Sequence, residues 1–325
     1  MSSFVGKVRG RILTPSVRET ALERRGFHRK DAVTQQNLET VGRMFLSGFS
    51  TALAASSCEE AEEDLEKIPP AYRGFAYEGA GMGATIHDAL PGHRGRLAGL
   101  LAGRGRRHVY MVHVGIGWAM ARLPKPLWPD VRRTDPLLRW LILDGYGFHQ
   151  AYFHTDRYVR RPHEPLRFSW RGGPDDYAAR VIDQGIGRAL WFVGGACPDR
   201  VAELVASFPE HRRADLYAGT GLAATYAGSV TEHELRALLA HAGVHRHHLA
   251  QGAAFAAEAR LLAGIEVPHT GRATSVLCGM GAAEAARICS ERRPVDVDRC
   301  DEPAYEEWRR EIAAAIALRT TSGGD

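Results

Sequence analysis

The segment Tyr77-Glu-Gly-Ala-Gly-Met-Gly-Ala-Thr85 returns later in the chain as Tyr217-Ala-Gly-Thr-Gly-Leu-Ala-Ala-Thr225. Weaker matches flank it in the same order. Val41-Gly-Arg-Met-Phe45 precedes it and pairs with Ile186-Gly-Arg-Ala-Leu190. Gly115-Ile-Gly-Trp-Ala-Met-Ala121 and Asp144-Gly-Tyr-Gly-Phe-His149 follow it and pair with Gly252-Ala-Ala-Phe-Ala-Ala-Glu258 and Cys278-Gly-Met-Gly-Ala-Ala283. Four matches in one order read most simply as an internal duplication, which restricts the fold to two like units packed together. The copies also serve as controls for each other. Positions that serve packing should agree, and positions that serve chemistry in one copy should differ in the other.

The glycines decide the type of unit. Many of the 35 glycines lie inside apolar, Ala-rich stretches rather than in loops. Glycine and alanine let helix backbones approach closely, so the pattern predicts tightly packed helices. Leu38, Val41, Phe45, Phe49 and Ala52 follow helical spacing. Few β-branched runs alternate, and Val109 to Val114 is the main strand candidate. The fold class expected is mainly α: a pseudo-twofold duplication of Gly/Ala-rich helical halves enclosing an apolar pocket. The expected division is a basic N-terminal arm (1–30), a first helical repeat (31–159), a linker (160–178) rich in proline and glycine, a second repeat (179–295), and a C-terminal helix and tail (296–325). Gly92 to Arg107 reads as a loop or frayed helix, and 273–290 as one helix.

Several function classes drop out. A net charge of +4 with no basic patch interleaved with aromatics argues against nucleic acid. The five cysteines are odd in number, widely spaced and form no CxxC pair, so neither a zinc knuckle nor a disulfide framework is expected, and the chain reads as cytoplasmic. Gly79-Ala-Gly81-Met-Gly83 lacks a preceding strand and an acidic residue about twenty positions on, so it is not read as a dinucleotide-binding turn. His241, His245 and His248 lie near Gly243 and Arg246 and read as a polar surface turn.

Comparing the copies gives the candidate site. Glu78 faces Ala218, His113 faces roughly Gln251, Asp144 faces Cys278 and His149 faces Ala283. Ionisable groups inside apolar helices cost several kcal/mol unless paired or ligated, so their retention in one copy only points to use. Glu78, His113, Asp144 and His149 are therefore the candidate catalytic residues, with Asp144 orienting an imidazole. Trp118, Tyr146, Phe148 and Tyr152 are the candidate pocket lining. Plainer roles stay open: Asp144 as a helix cap, His113 as a satisfied core histidine. Glu78, His113 and His149 also form a candidate ligand set for iron or another divalent metal. The Glu-x-x-His spacing of helical-bundle di-iron sites is absent, and a metal-free acid/base cluster fits the residues at least as well.

Together, Tyr77-Glu-Gly-Ala-Gly-Met82, Asp144-Gly-Tyr-Gly-Phe-His-Gln-Ala-Tyr-Phe153, Gly187-Arg-Ala-Leu-Trp-Phe192 and Gln251-Gly-Ala-Ala-Phe-Ala-Ala257 resemble a bacterial family of unknown function. Its members are encoded beside iterative polyketide synthases in the gene cassette for enediyne antibiotics. The resemblance covers nearly the whole chain. It implies a substrate, a linear conjugated polyene derived from a polyketide, and a role in enediyne biosynthesis by oxidation, isomerisation or cyclisation. The partners expected with it are the synthase carrier domain, docked on the Arg-rich 93–107 segment, and other cassette proteins; a homo-oligomer is a separate expectation. A non-catalytic polyene carrier, or a scaffold for the synthase, is the alternative. The resemblance carries no catalytic residues with it.

Overall fold

Local sequence sets where the helices begin. The Asp31 carboxylate accepts from the backbone N–H of Thr34 at 2.8 Å. Ser57 caps a helix through Glu60 N–H, and Thr231 and Glu234 form a reciprocal capping box. The computed structural model describes residues 4–161, 168–297 and 302–322, and its elements are helices, with no strand among the described residues. In chain order they are α1 (Phe4–Leu13), α2 (Leu22–Arg25), α3 (Ala32–Ala54), α4 (Cys58–Glu66), α5 (Pro70–Ala89), α6 (Arg96–Ala102), α7 (Val109–Arg122) and α8 (Trp140–Phe153). There follow α9 (Asp175–Val193), α10 (Pro198–Ala206), α11 (Glu210–Ala227), α12 (Glu232–Ala242), α13 (Arg246–Leu262), α14 (Pro268–Leu277), α15 (Ala282–Glu291) and α16 (Ala304–Ser322). No helix among the described residues is long and apolar enough to cross a membrane.

The long helices lie side by side in the order α3, α5, α7, α8, α9, α11, α13, α15. Their Gly-x-Gly pairs explain this row. Residues two apart on a helix point about 200° apart, to nearly opposite sides. Each pair therefore gives one glycine to each neighbour. A Cβ on Gly117 would lie 1.8 Å from the Ile142 carbonyl oxygen, and one on Gly145 would lie 2.0 Å from that of Val114, so α7 and α8 meet backbone to backbone. Gly187 and Gly219 do the same for α9 and α11, at 2.1 Å from Leu216 O and 1.8 Å from Gln184 O. Gly79 faces α3, and Gly81 and Gly115 join α5 to α7. The glycines that resemble a phosphate-binding turn are packing positions.

Several expectations change. Val109–Val114 is helical, because both flanks of α7 are buried and an apolar run with neighbours all round suits a buried helix as well as a strand. The 1–30 segment is not a free arm: α1 packs on α3, Arg9 donates to the Leu53 carbonyl at 2.7 Å, and Leu22 N–H donates to Glu39. The 92–107 region holds α6 and a 3-10 turn, and buried Glu62 accepts from Gly105 N–H there at 2.9 Å. The 273–290 stretch is two helices, broken at Gly279, whose φ of 70° lies in the left-handed region. The 160–178 linker falls partly on residues 162–167, outside the described residues, and α9 already begins at Asp175. Across it α8 packs on α9, and the larger apolar cluster draws residues from both sides, from Leu22 to Ile316.

Elements α3 to α7 and α9 to α13 follow the same order, each with a nine-residue second helix and a 3-10 turn before the last. The fourth sequence match breaks this parallel. Asp144 to His149 lies in the middle of α8, whereas Cys278 closes α14 and Gly281 precedes α15.

Candidate functional site

A pocket of about 400 Å³ opens beside α3, α5, α7, α8 and α9, with Pro15, Glu19 and Thr20 of the N-terminal segment along its edge. Its wall is apolar and aromatic: Phe45, Phe75, Met82, Trp118, Phe148, Tyr152, Phe153 and Phe192. Trp118 lies at the centre, 4.4 Å from the Phe45 ring, 5.1 Å from Phe148 and edge-on to His149 at 5.5 Å. The mouth is polar, with exposed Arg122 and His154. The floor is charged, with Glu78 and Arg188.

The floor is a buried ionic cluster. Arg188 makes a close contact with Asp144 and lies 3.5 Å from Glu78 Oε1. All three are at most 5% exposed. Trp118 Nε1–H donates to the same Glu78 oxygen at 3.0 Å. Burial opposes the Arg188 cation, but the carboxyls of Asp144 and Glu78 outweigh it and raise its pKa. Burial also raises Glu78 to about 7; Arg188 pulls it down and Asp144 pushes it further up. One guanidinium cannot balance two carboxylates in a dry floor. Burial raises the Asp144 carboxyl too, and Arg188 and Arg309 draw it back down; Asp144, in the closer contact with the guanidinium, takes the charge, and Glu78 keeps its proton to near neutrality. That is the range of a general acid.

His149 lines the pocket with its Nδ1 buried and without a hydrogen-bond partner. Burial, reinforced by nearby Arg122, His154 and Arg25, lowers its pKa to about 3, so the ring is neutral. Of the four candidate catalytic residues, the structure thus brings Glu78, Asp144 and His149 to one place. His113 does not join them. Its Nδ1–H donates to the Val109 carbonyl at 2.7 Å, its Nε2 is buried without a partner, and it does not line the pocket. Asp144 does not orient an imidazole; it holds Arg188. Trp118, Phe148 and Tyr152 line the pocket, and Tyr146 packs outside it against Trp128 and Phe168.

The metal expectation for Glu78, His113 and His149 is not met by the geometry. Among the described residues no three His, Cys, Asp or Glu side chains converge as a ligand set. A guanidinium occupies the place between the two carboxyls that an ion would need. The surface histidines find carboxylates instead: His241 lies 2.7 Å from Asp199 and His245 2.9 Å from Glu210. The comparison of copies overlooked Arg188, because the match Ile186-Gly-Arg-Ala-Leu190 to Val41-Gly-Arg-Met-Phe45 presents it as shared. The usable signal was an arginine flanked only by apolar and small residues. Its counterpart Arg43 lies near Glu39 at 3.9 Å, with more than a third of its side chain exposed.

No curated protein and no solved structure is significantly similar to the chain. One family model matches residues 4–316, nearly the whole chain, and the protein belongs to that family, a protein family of unknown function designated DUF1702.

Proposed function

We propose that the protein takes part in enediyne-type polyketide biosynthesis and acts on a linear conjugated polyene held in this pocket. The observation that carries the reading is an aromatic pocket of about 400 Å³ ending on a carboxyl whose pKa is raised to about 7. Ligand sites of this size are mostly apolar with a few placed polar groups. A flat polyene would stack on Trp118 and Phe148 and bring its polar end to Glu78.

Glu78 supplies what an isomerisation or cyclisation needs. As an acid it gives a proton to one carbon of the conjugated system, and the carboxylate formed takes one from another. Atoms and electrons balance without a further reactant. His149, pushed to about 3, is a poor base and serves as a neutral hydrogen-bonding group at the wall. The repeated order of elements supports descent by duplication, with the second copy serving the fold.

The test uses methyl all-trans-parinarate, a linear tetraene whose fluorescence rises in apolar sites. The protein should bind it saturably and change its absorbance bands with time. Ala121→Trp, at the half-exposed mouth, should weaken binding at least about tenfold without lowering the melting temperature. Glu78→Gln should bind but not turn over, and His113→Ala should do both. Binding with no turnover by the wild type would favour the carrier reading, and no binding would sink both.

A further inference from the structure

The floor of the pocket has one cation for two carboxyls. Arg188 is in close contact with Asp144 and 3.5 Å from Glu78. With Asp144 ionised that pair is neutral, so Glu78 completes the floor without net charge only as the acid. A second anion there would be buried without a partner, which proteins avoid by excluding or protonating it. A ligand carboxylate brought to the floor would be that second anion.

An uncharged carbonyl oxygen meets different conditions. It adds no charge, and the groups facing it are donors: the guanidinium of Arg188 and the protonated carboxyl of Glu78. Trp118 Nε1–H, also beside the floor, is already used on Glu78. Donors without a competing acceptor suit a carbonyl better than a hydroxyl, whose own hydrogen would be left unpaired. The contrast with the mouth fixes the direction of entry. Arg122 and His154 are exposed there, so a charged head would stay in water at that end and leave the hydrocarbon on the charged floor.

Building on the polyene reading above, we propose that the pocket selects ligands by an uncharged carbonyl end, an ester or ketone, seated between Arg188 and Glu78, and rejects a free carboxylate. Asp144 sets this selection without touching the ligand, because its charge neutralises the guanidinium that would otherwise bind an acid. Asp144 is a positioning residue for specificity.

All-trans-parinaric acid and its methyl ester share one tetraene and differ only in the head group, so their fluorescence titrations isolate the choice. At pH 6, where Glu78 holds its proton and the free acid is ionised, the wild type should bind the ester at least about tenfold more tightly than the acid. The double variant Asp144→Asn, Glu78→Gln leaves the Arg188 charge uncompensated and should reverse the order. Glu78→Gln should keep the ester preference but abolish the fall in ester affinity between pH 6 and 8 that the wild type shows. The proposal is overturned if the wild type binds the acid as tightly as the ester, or if a cooperatively melting Asp144→Asn, Glu78→Gln protein still prefers the ester. Should that variant fail to fold, Glu78→Gln decides, and a wild-type pH dependence in it is equally fatal. Binding of neither compound refutes the polyene reading, and this proposal with it.

Discussion

Replacing Glu78 by Gln should make the protein more resistant to heat at alkaline pH than at acidic pH, relative to wild type. Glu78 is buried at the pocket floor, and its pKa rises from the ordinary 4.5 to about 7. A raised folded-state pKa means that the native state holds the proton more firmly than the unfolded chain. The stability this confers is fully present below about pH 4.5 and is lost as pH rises through about 7. At ~1.4 kcal/mol per pH unit, the loss between pH 5 and pH 8 is about 2.5 kcal/mol. A chain of this length unfolds with an entropy of roughly 0.7 kcal/mol per degree, so the loss corresponds to about 4 °C. Glutamine keeps the size and the hydrogen-bonding capacity but cannot ionise. Calorimetric melts of both proteins at pH 5 and pH 8 give the comparison. Glu258, also raised to about 7 by burial, titrates in both proteins and cancels. Wild type and variant with the same pH dependence to within about 1 °C would show that Glu78 is already ionised in the fold, and the acid role would go with it.

Two further outcomes test the same cluster and its scaffold. Arg188→Met strands two buried carboxyls and should cost about 3–5 kcal/mol, more at pH 8 than at pH 5. Adding Asp144→Asn should restore most of it in a denaturant titration, and additivity of the two changes would contradict a shared pair. Gly117→Ala drives a Cβ to within 1.8 Å of the Ile142 carbonyl and should destabilise by about 3 kcal/mol or more. Gly271→Ala, with nothing within 4 Å, should be neutral or mildly stabilising, and equal melting temperatures for the two would refute the backbone-contact account of the row.

The sequence by itself determined that the chain is helical, that its helices pack closely, and which buried groups were unusual. These properties are local. The Gly-x-Gly spacing fixes which sides of a helix can touch a neighbour, and capping residues such as Asp31 and Thr231 fix where helices start. The charge at Glu78 stood out because its counterpart is Ala218. Tertiary structure decided which of these groups meet. His113 and Glu78 look equivalent along the chain, yet the rotation of α7 turns Trp118 to the pocket and His113 away from it. Arg188 comes from α9, a helix read as the inactive copy, and reaches the site only because α8 packs between α7 and α9. Asp144 changes its meaning for the same reason: with a guanidinium beside it, it is a counter-charge and not an orienter of histidine. Residue type and spacing can report that an ion is buried, but its partner is chosen by which helices lie side by side, and that choice depends on the packing of the whole row.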